Sequence, residues 1–116
     1  MRVFITGGTG FIGSEVVKEL LGARHEVIGL ARSEKSAEKL RIVGATVING
    51  SIEDSDSLIR GAKQADAVIH CGFVHNFSDF NVAVRTGKQA IETIGNELIG
   101  TNKPFIVTSG VPSSMK

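Results

Sequence analysis

The chain has 116 residues, of which 41% are hydrophobic, with 13 Lys and Arg against 12 Asp and Glu for a net charge of +1. A domain takes roughly 100 to 200 residues, so this length holds one domain, spanning 1–116, and excludes a separate substrate domain. Charge that is balanced and spread along the chain leaves no footprint for nucleic acid. No run of about 18 apolar residues is available to cross a membrane, and a single cysteine, Cys71, excludes an internal disulfide and points to the cytoplasm.

Val3 to Thr6 is a β-branched and aromatic run that stops at Gly7-Gly8-Thr9-Gly10, which predicts a buried strand ended by a glycine turn. A helix follows, with Ile12, Val16, Val17, Leu20 and Leu21 on one face and Gly22 at its C-terminus. Glu26 to Leu30 is a second strand. Ser33 is placed to cap a helix carrying Ala37 and Leu40. The alternation repeats with a strand at Ala45 to Asn49, a short helix over Ser55 to Ala62 capped by Asp54 or Ser55, and a strand at Ala67 to His70. Phe80, Val84, Gly87, Ile91, Ile94 and Leu98 recur at helical spacing and predict a helix to about Gly100. Phe105 to Thr108, after Pro104, is a fifth strand.

Apolar strands alternating with helices imply an α/β fold in which helices cover both faces of a parallel sheet. Right-handed crossovers favour a doubly wound, Rossmann-type order of 3-2-1-4-5. Ligands of such sheets bind at the carboxyl ends of strands 1 and 4, where the order reverses, and the glycine turn is predicted there.

Gly7, Gly10 and Gly13 are spaced G-x-x-G-x-x-G between a strand and a helix. Gly7 permits the tight turn, Gly10 lets a pyrophosphate approach the backbone, and Gly13 allows close packing of helix on sheet. Free amides near Phe11 and Ile12 would hold the anion. About twenty residues on, where an NAD site offers a carboxylate to the ribose, the chain has Arg32-Ser33. A guanidinium and a hydroxyl there suit a 2′-phosphate, which favours NADP(H) over NAD(H), with Glu34 as the competing feature and a solvated loop cation as the alternative role for Arg32.

With these motifs in place the chain resembles the N-terminal part of an extended or atypical short-chain dehydrogenase/reductase, in the NAD-dependent epimerase/dehydratase group. Gly29-Leu30-Ala31-Arg32-Ser33, Asp66-Ala67-Val68-Ile69-His70 and Val107-Thr108-Ser109-Gly110 agree with the family's pattern after strand 2, in strand 4 and in strand 5. The resemblance implies that Ser51 and Ile52 contact adenine, although the family usually has an acidic residue where Ser51 stands. It puts Cys71, Gly72 and Phe73 against the cofactor ribose and adds Thr9 and Thr108 to the cofactor contacts. It also implies hydride transfer by a Tyr-x-x-x-Lys pair aided by a hydroxyl after strand 5, for which Ser109 is the catalytic candidate; in many relatives that hydroxyl lies one place further on, at Gly110 here. The chain has no tyrosine.

Two functions follow. The chain is the NAD(P)-binding portion of a longer oxidoreductase or epimerase, catalytically incomplete by itself and meeting a small-molecule substrate only within the longer protein. Alternatively it is a complete, non-enzymatic NADP(H) sensor or regulatory module. In the first reading the fifth strand leaves an apolar sheet edge, which predicts self-association through that strand or through the Phe80 to Leu98 helix. His70 is expected as a core or crevice-edge residue, His75 as a loop residue near the substrate entrance and His25 without a role. Three separated histidines give no metal site, and Cys71 is either a crevice thiol or small buried packing.

Overall fold

The computed structural model describes residues 1–8, 11–71 and 80–107, with side chains throughout except at 11–12 and 80–87. Strands and helices alternate as β1 (Arg2–Thr6), α1 (Phe11–Gly22), β2 (Glu26–Ala31), α2 (Glu34–Val43), β3 (Thr46–Asn49), α3 (Ser55–Gln64), β4 (Ala67–His70), α4 (Phe80–Leu98) and β5 (Phe105–Val107). The strands form one parallel sheet in the order β3-β2-β1-β4-β5, as the sequence predicts.

Side-chain alternation along β1 divides the interior into two layers. Phe4 faces a core with Leu58 and Ala62 of α3 and Ala90, Ile94 and Leu98 of α4. Ile5 faces the opposite core with Val17 of α1 and Ala37 and Leu40 of α2. Burial on both faces explains why β1 reads as an unbroken apolar run. The edge strands depart from that pattern: Thr46 and Asn49 of β3 and Ile106 and Val107 of β5 are exposed, because each edge has a neighbour on one side only among the described residues.

Helix ends follow local chemistry. Ser33 caps α2, its Oγ accepting the Ser36 N–H at 3.1 Å, and Asp54 rather than Ser55 caps α3 by accepting the Asp56 N–H at 3.2 Å. Gly44, at φ 101°, closes α2 with the backbone bonds Gly44 N–H to Arg41 O and Ala45 N–H to Leu40 O. The same pair of bonds closes α1, but there Arg24 takes the left-handed conformation, at φ 70°, and Gly22 ends the helix. The buried stripe of α4 runs through Ala90, Ile94 and Leu98, four residues apart, and Ile91 is only half-buried. Leu98, not Gly100, is its last residue.

Candidate functional site

Parallel strands bring every β-to-α turn to one edge of the sheet. β1 hands the chain to Gly7, whose φ of 72° lies in the left-handed region that a Cβ disfavours. The chain then re-enters as α1 at Phe11, with Gly13 in its first turn. A Cβ on Gly13 would overlap the Gly7 carbonyl oxygen and carbon, and would lie 3.1 Å from the Gly8 Cα. The start of the helix therefore rests on the turn, backbone against backbone. No acidic residue occupies the first turn of α1, so no carboxylate of that turn would compete with an anion for the helix N-terminus. A helix N-terminus following a glycine turn can serve as a cradle for an anion such as a pyrophosphate. Thr9 and Gly10 lie outside the described residues, as do the side chains of Phe11 and Ile12.

β2 pairs with β1 in the register Ile5 to Gly29, so Arg32 leaves a strand end adjacent to the glycine turn. Arg32 is exposed and forms no ion pair among the described residues. Glu34, the competing carboxylate, instead accepts from Arg41 Nη1 at 3.2 Å along α2. Ser33 is occupied twice as a cap, since its Oγ accepts from the Ser36 amide and donates to Ser36 Oγ at 3.1 Å. Its hydroxyl can turn to a phosphate only by giving up the second bond.

Beyond β3, Gly50 N–H donates to Ala31 O at 2.9 Å, which holds the start of the next turn beside β2. Ser51 Oγ accepts the Glu53 N–H at 3.3 Å, and Ser51 O accepts from Asp54 N–H and from buried Ser57 Oγ. Ile52 is half-buried against the Phe4 core. Ser51 thus shapes its own turn. Cys71 is buried in the Ile5 layer, and its amide donates to Thr6 O at 3.1 Å. Gly72, Phe73, His75, Thr108 and Ser109 lie outside the described residues. Among the described residues no three His, Cys, Asp or Glu side chains gather as metal ligands, and no helix is long and apolar enough to cross a membrane.

Thr6 was not singled out by sequence, yet its Oγ1 lies 2.7 Å from His70 Nδ1, with Thr6 fully buried and His70 2% exposed. A hydroxyl at the end of β1, in ladder register with the His at the end of β4, was the available signal. Burial disfavours the imidazolium and pulls the His70 pKa below its ordinary 6.5. As pH falls through 6.5 the unfolded chain takes up a proton that the folded chain refuses, so stability drops until the lowered folded value is passed. Urea denaturation across that range should show this loss, and His70→Asn should flatten it. An unchanged pH profile in His70→Asn would remove His70 as the cause.

Residues 3–100 match the NAD-dependent epimerase/dehydratase family. An uncharacterized protein of Schizosaccharomyces pombe is 52% identical over 109 residues, covering 94% of this chain and 37% of that protein. An uncharacterized protein of Saccharomyces cerevisiae is 44% identical over 115 residues, covering 97% of this chain and 39% of its own length. This chain therefore spans less than two-fifths of these relatives. Among solved structures, UDP-glucose 4-epimerase of Thermotoga maritima superposes with a TM-score of 0.77 at 26% identity, over 94% of this chain and 38% of that one. With a glycine cradle at the carboxyl edge of a 3-2-1-4-5 sheet and a match across residues 3–100, the chain belongs to the NAD-dependent epimerase/dehydratase family.

Proposed function

We propose that this chain is the dinucleotide-binding portion of an NAD(P)-dependent oxidoreductase or epimerase and that it prefers NADP(H) to NAD(H). The observation that carries the first half is the direct seating of the α1 start on the glycine turn, where a Cβ at Gly13 would strike the Gly7 carbonyl. Support for the second half is Arg32 at the end of β2 in place of a carboxylate, with Glu34 bound to Arg41. In this reading the α1 amides, with Thr9 and Gly10, take the pyrophosphate. Arg32 takes the 2′-phosphate, Ser51 and Ile52 the adenine side, and Gly72, Phe73 and Thr108 the nicotinamide side.

When bound, the nicotinamide supplies hydride exchange. The chain's own part is to hold and orient the dinucleotide. In this reading Ser109 is the catalytic hydroxyl, and with no tyrosine among these 116 residues none of them supplies the proton-exchanging phenol of the family's reaction.

Calorimetric titration of the whole protein with NADPH and NADH side by side tests the preference. A bidentate charge-assisted pair contributes about 1.5 to 3 kcal/mol, so NADPH should bind at least about tenfold tighter than NADH. Arg32→Ala should remove most of that difference by weakening NADPH alone. Equal or tighter NADH binding overturns the preference, and binding of neither overturns the dinucleotide reading.

A further inference from the structure

α2 begins just past the end of β2, and its first residue, Glu34, stands two places beyond Arg32. Side chains on a helix lean toward its N-terminus, so the ordinary place for the Glu34 carboxylate is the strand end beside Arg32, where a dinucleotide presents its adenosine ribose. The positive end of the helix favours the same place. A carboxylate there accepts from free ribose hydroxyls and repels a 2′-phosphate, so it would work against Arg32.

The structure puts that carboxylate elsewhere. Arg41 Nη1 donates to Glu34 Oε1 at 3.2 Å, although the two residues are seven apart in sequence. That spacing separates them by about 10 Å along the helix axis and by only about 20° around it. To meet, Arg41 reaches back toward the N-terminus and Glu34 reaches forward, against its own lean. Glu38 stands between them on the same side of α2, closer to Arg41 than Glu34 is in sequence, yet it forms no ion pair among the described residues. A like charge four residues on repels Glu34 back toward the strand end, so its forward position depends on Arg41.

We propose that Arg41 is a positioning residue for cofactor choice: by drawing the Glu34 carboxylate down α2 it clears the end of β2 of the one negative charge that would favour a free ribose over a 2′-phosphate. The inference rests on the dinucleotide-binding reading above and names what tunes its preference, with Arg32 attracting the phosphate and Arg41 removing the charge that opposes it. The Glu34 and Arg41 side chains are 73% and 53% exposed, so the pair biases the carboxylate rather than locking it, by up to about fivefold.

The test is a double-mutant cycle in the whole protein, with Kd for NADPH and for NADH measured by calorimetry on the wild type, Arg41→Gln, Glu34→Gln and the double variant. Both side chains lie at the surface, so the substitutions leave the fold intact. Arg41→Gln should lower the preference, taken as the NADH Kd over the NADPH Kd, about threefold, with NADH binding more tightly and NADPH more weakly. The NADH arm is decisive, because losing a cation by itself would weaken both anionic dinucleotides and could not tighten either. Glu34→Gln should keep the wild-type preference within about twofold, and the double variant should return to it, since no carboxylate is left to release. An unchanged preference in Arg41→Gln overturns the proposal, and so does a double variant that keeps the loss, because Arg41 would then act through its own charge. A Glu34→Gln preference that rises about threefold or more overturns it as well, since the carboxylate would already stand at the phosphate position in the wild type. Binding of neither dinucleotide by the wild type overturns this inference together with the reading beneath it. A wild type that binds NADH as tightly as NADPH overturns the NADP(H) preference alone, and the cycle still decides whether Arg41 holds Glu34 away from the ribose.

Discussion

Gly13→Ala is expected to weaken dinucleotide binding about 100-fold, or roughly 2.7 kcal/mol, while leaving the sheet and the other helices formed. Helix propensity argues the other way, since alanine inside a helix is favoured over glycine by about 1 kcal/mol. Propensity loses here because the added Cβ overlaps the carbonyl oxygen and carbon of Gly7, which are backbone atoms fixed by β1 and by the left-handed turn itself. A side chain could swing aside, but this carbonyl cannot, so α1 must retreat and carry its amide donors off the anion position. Gly29 provides the contrast: a Cβ there lies 2.6 Å from Cδ1 of Leu40, a buried core side chain and not the backbone of the turn, so Gly29→Ala should cost stability yet bind dinucleotide nearly as wild type in the protein that remains folded. Calorimetry on the two variants, with circular dichroism to check the helices, separates the cases. Gly13→Ala binding within about threefold of wild type would show that the turn yields, and would remove the cradle as the reason for glycine at that position.

Much of this architecture is legible in the residues because its determinants are local. Strand runs, glycine and serine caps and helical stripes each need only a few neighbouring residues to be recognised, and the parallel order follows from their alternation. Boundaries moved where a tertiary or capping contact intervened. Ala90 displaces Ile91 from the α4 stripe because α4 lies against the Phe4 core through that face, and Arg24 supplies the left-handed residue that Gly22 was placed to supply. At the site, Gly7, Gly13 and Arg32 are readable from spacing alone. The partners that decide how they act are not. Thr6 and His70 are 64 residues apart and meet only through strand register. The ion pair that draws Glu34 along α2 depends on a side-chain choice that spacing leaves open, and Cys71, one residue past the end of β4, joins the Ile5 cluster.

The second large effect concerns a glycine outside the site. Gly61 lies buried in α3, and a Cβ there would overlap the ring of Phe4, which is itself fully buried on the central strand. Gly61→Ala should therefore destabilise the protein by about 2 kcal/mol, where the same change in an exposed helix would stabilise it by about 1 kcal/mol. The ring has nowhere to go, with Leu58, Ala62, Val68 and Ile94 in the same cluster. Phe4→Leu alone opens a cavity and should cost about 1 to 2 kcal/mol. Combined, the smaller side chain makes room for the new methyl, so the double variant should lose less than the sum by about 1 kcal/mol or more. Urea denaturation of the four proteins measures this directly, and additive losses, or a stabilised Gly61→Ala, would show that the Phe4 contact does not set the cost. Because the atoms nearest a Cβ at Gly61 belong to the Phe4 ring and not to the glycine turn, Gly61→Ala should lose stability without losing dinucleotide affinity in the protein that remains folded. Gly13→Ala should do the reverse, so the ratio of affinity lost to stability lost tells a glycine kept for the site from one kept for the core.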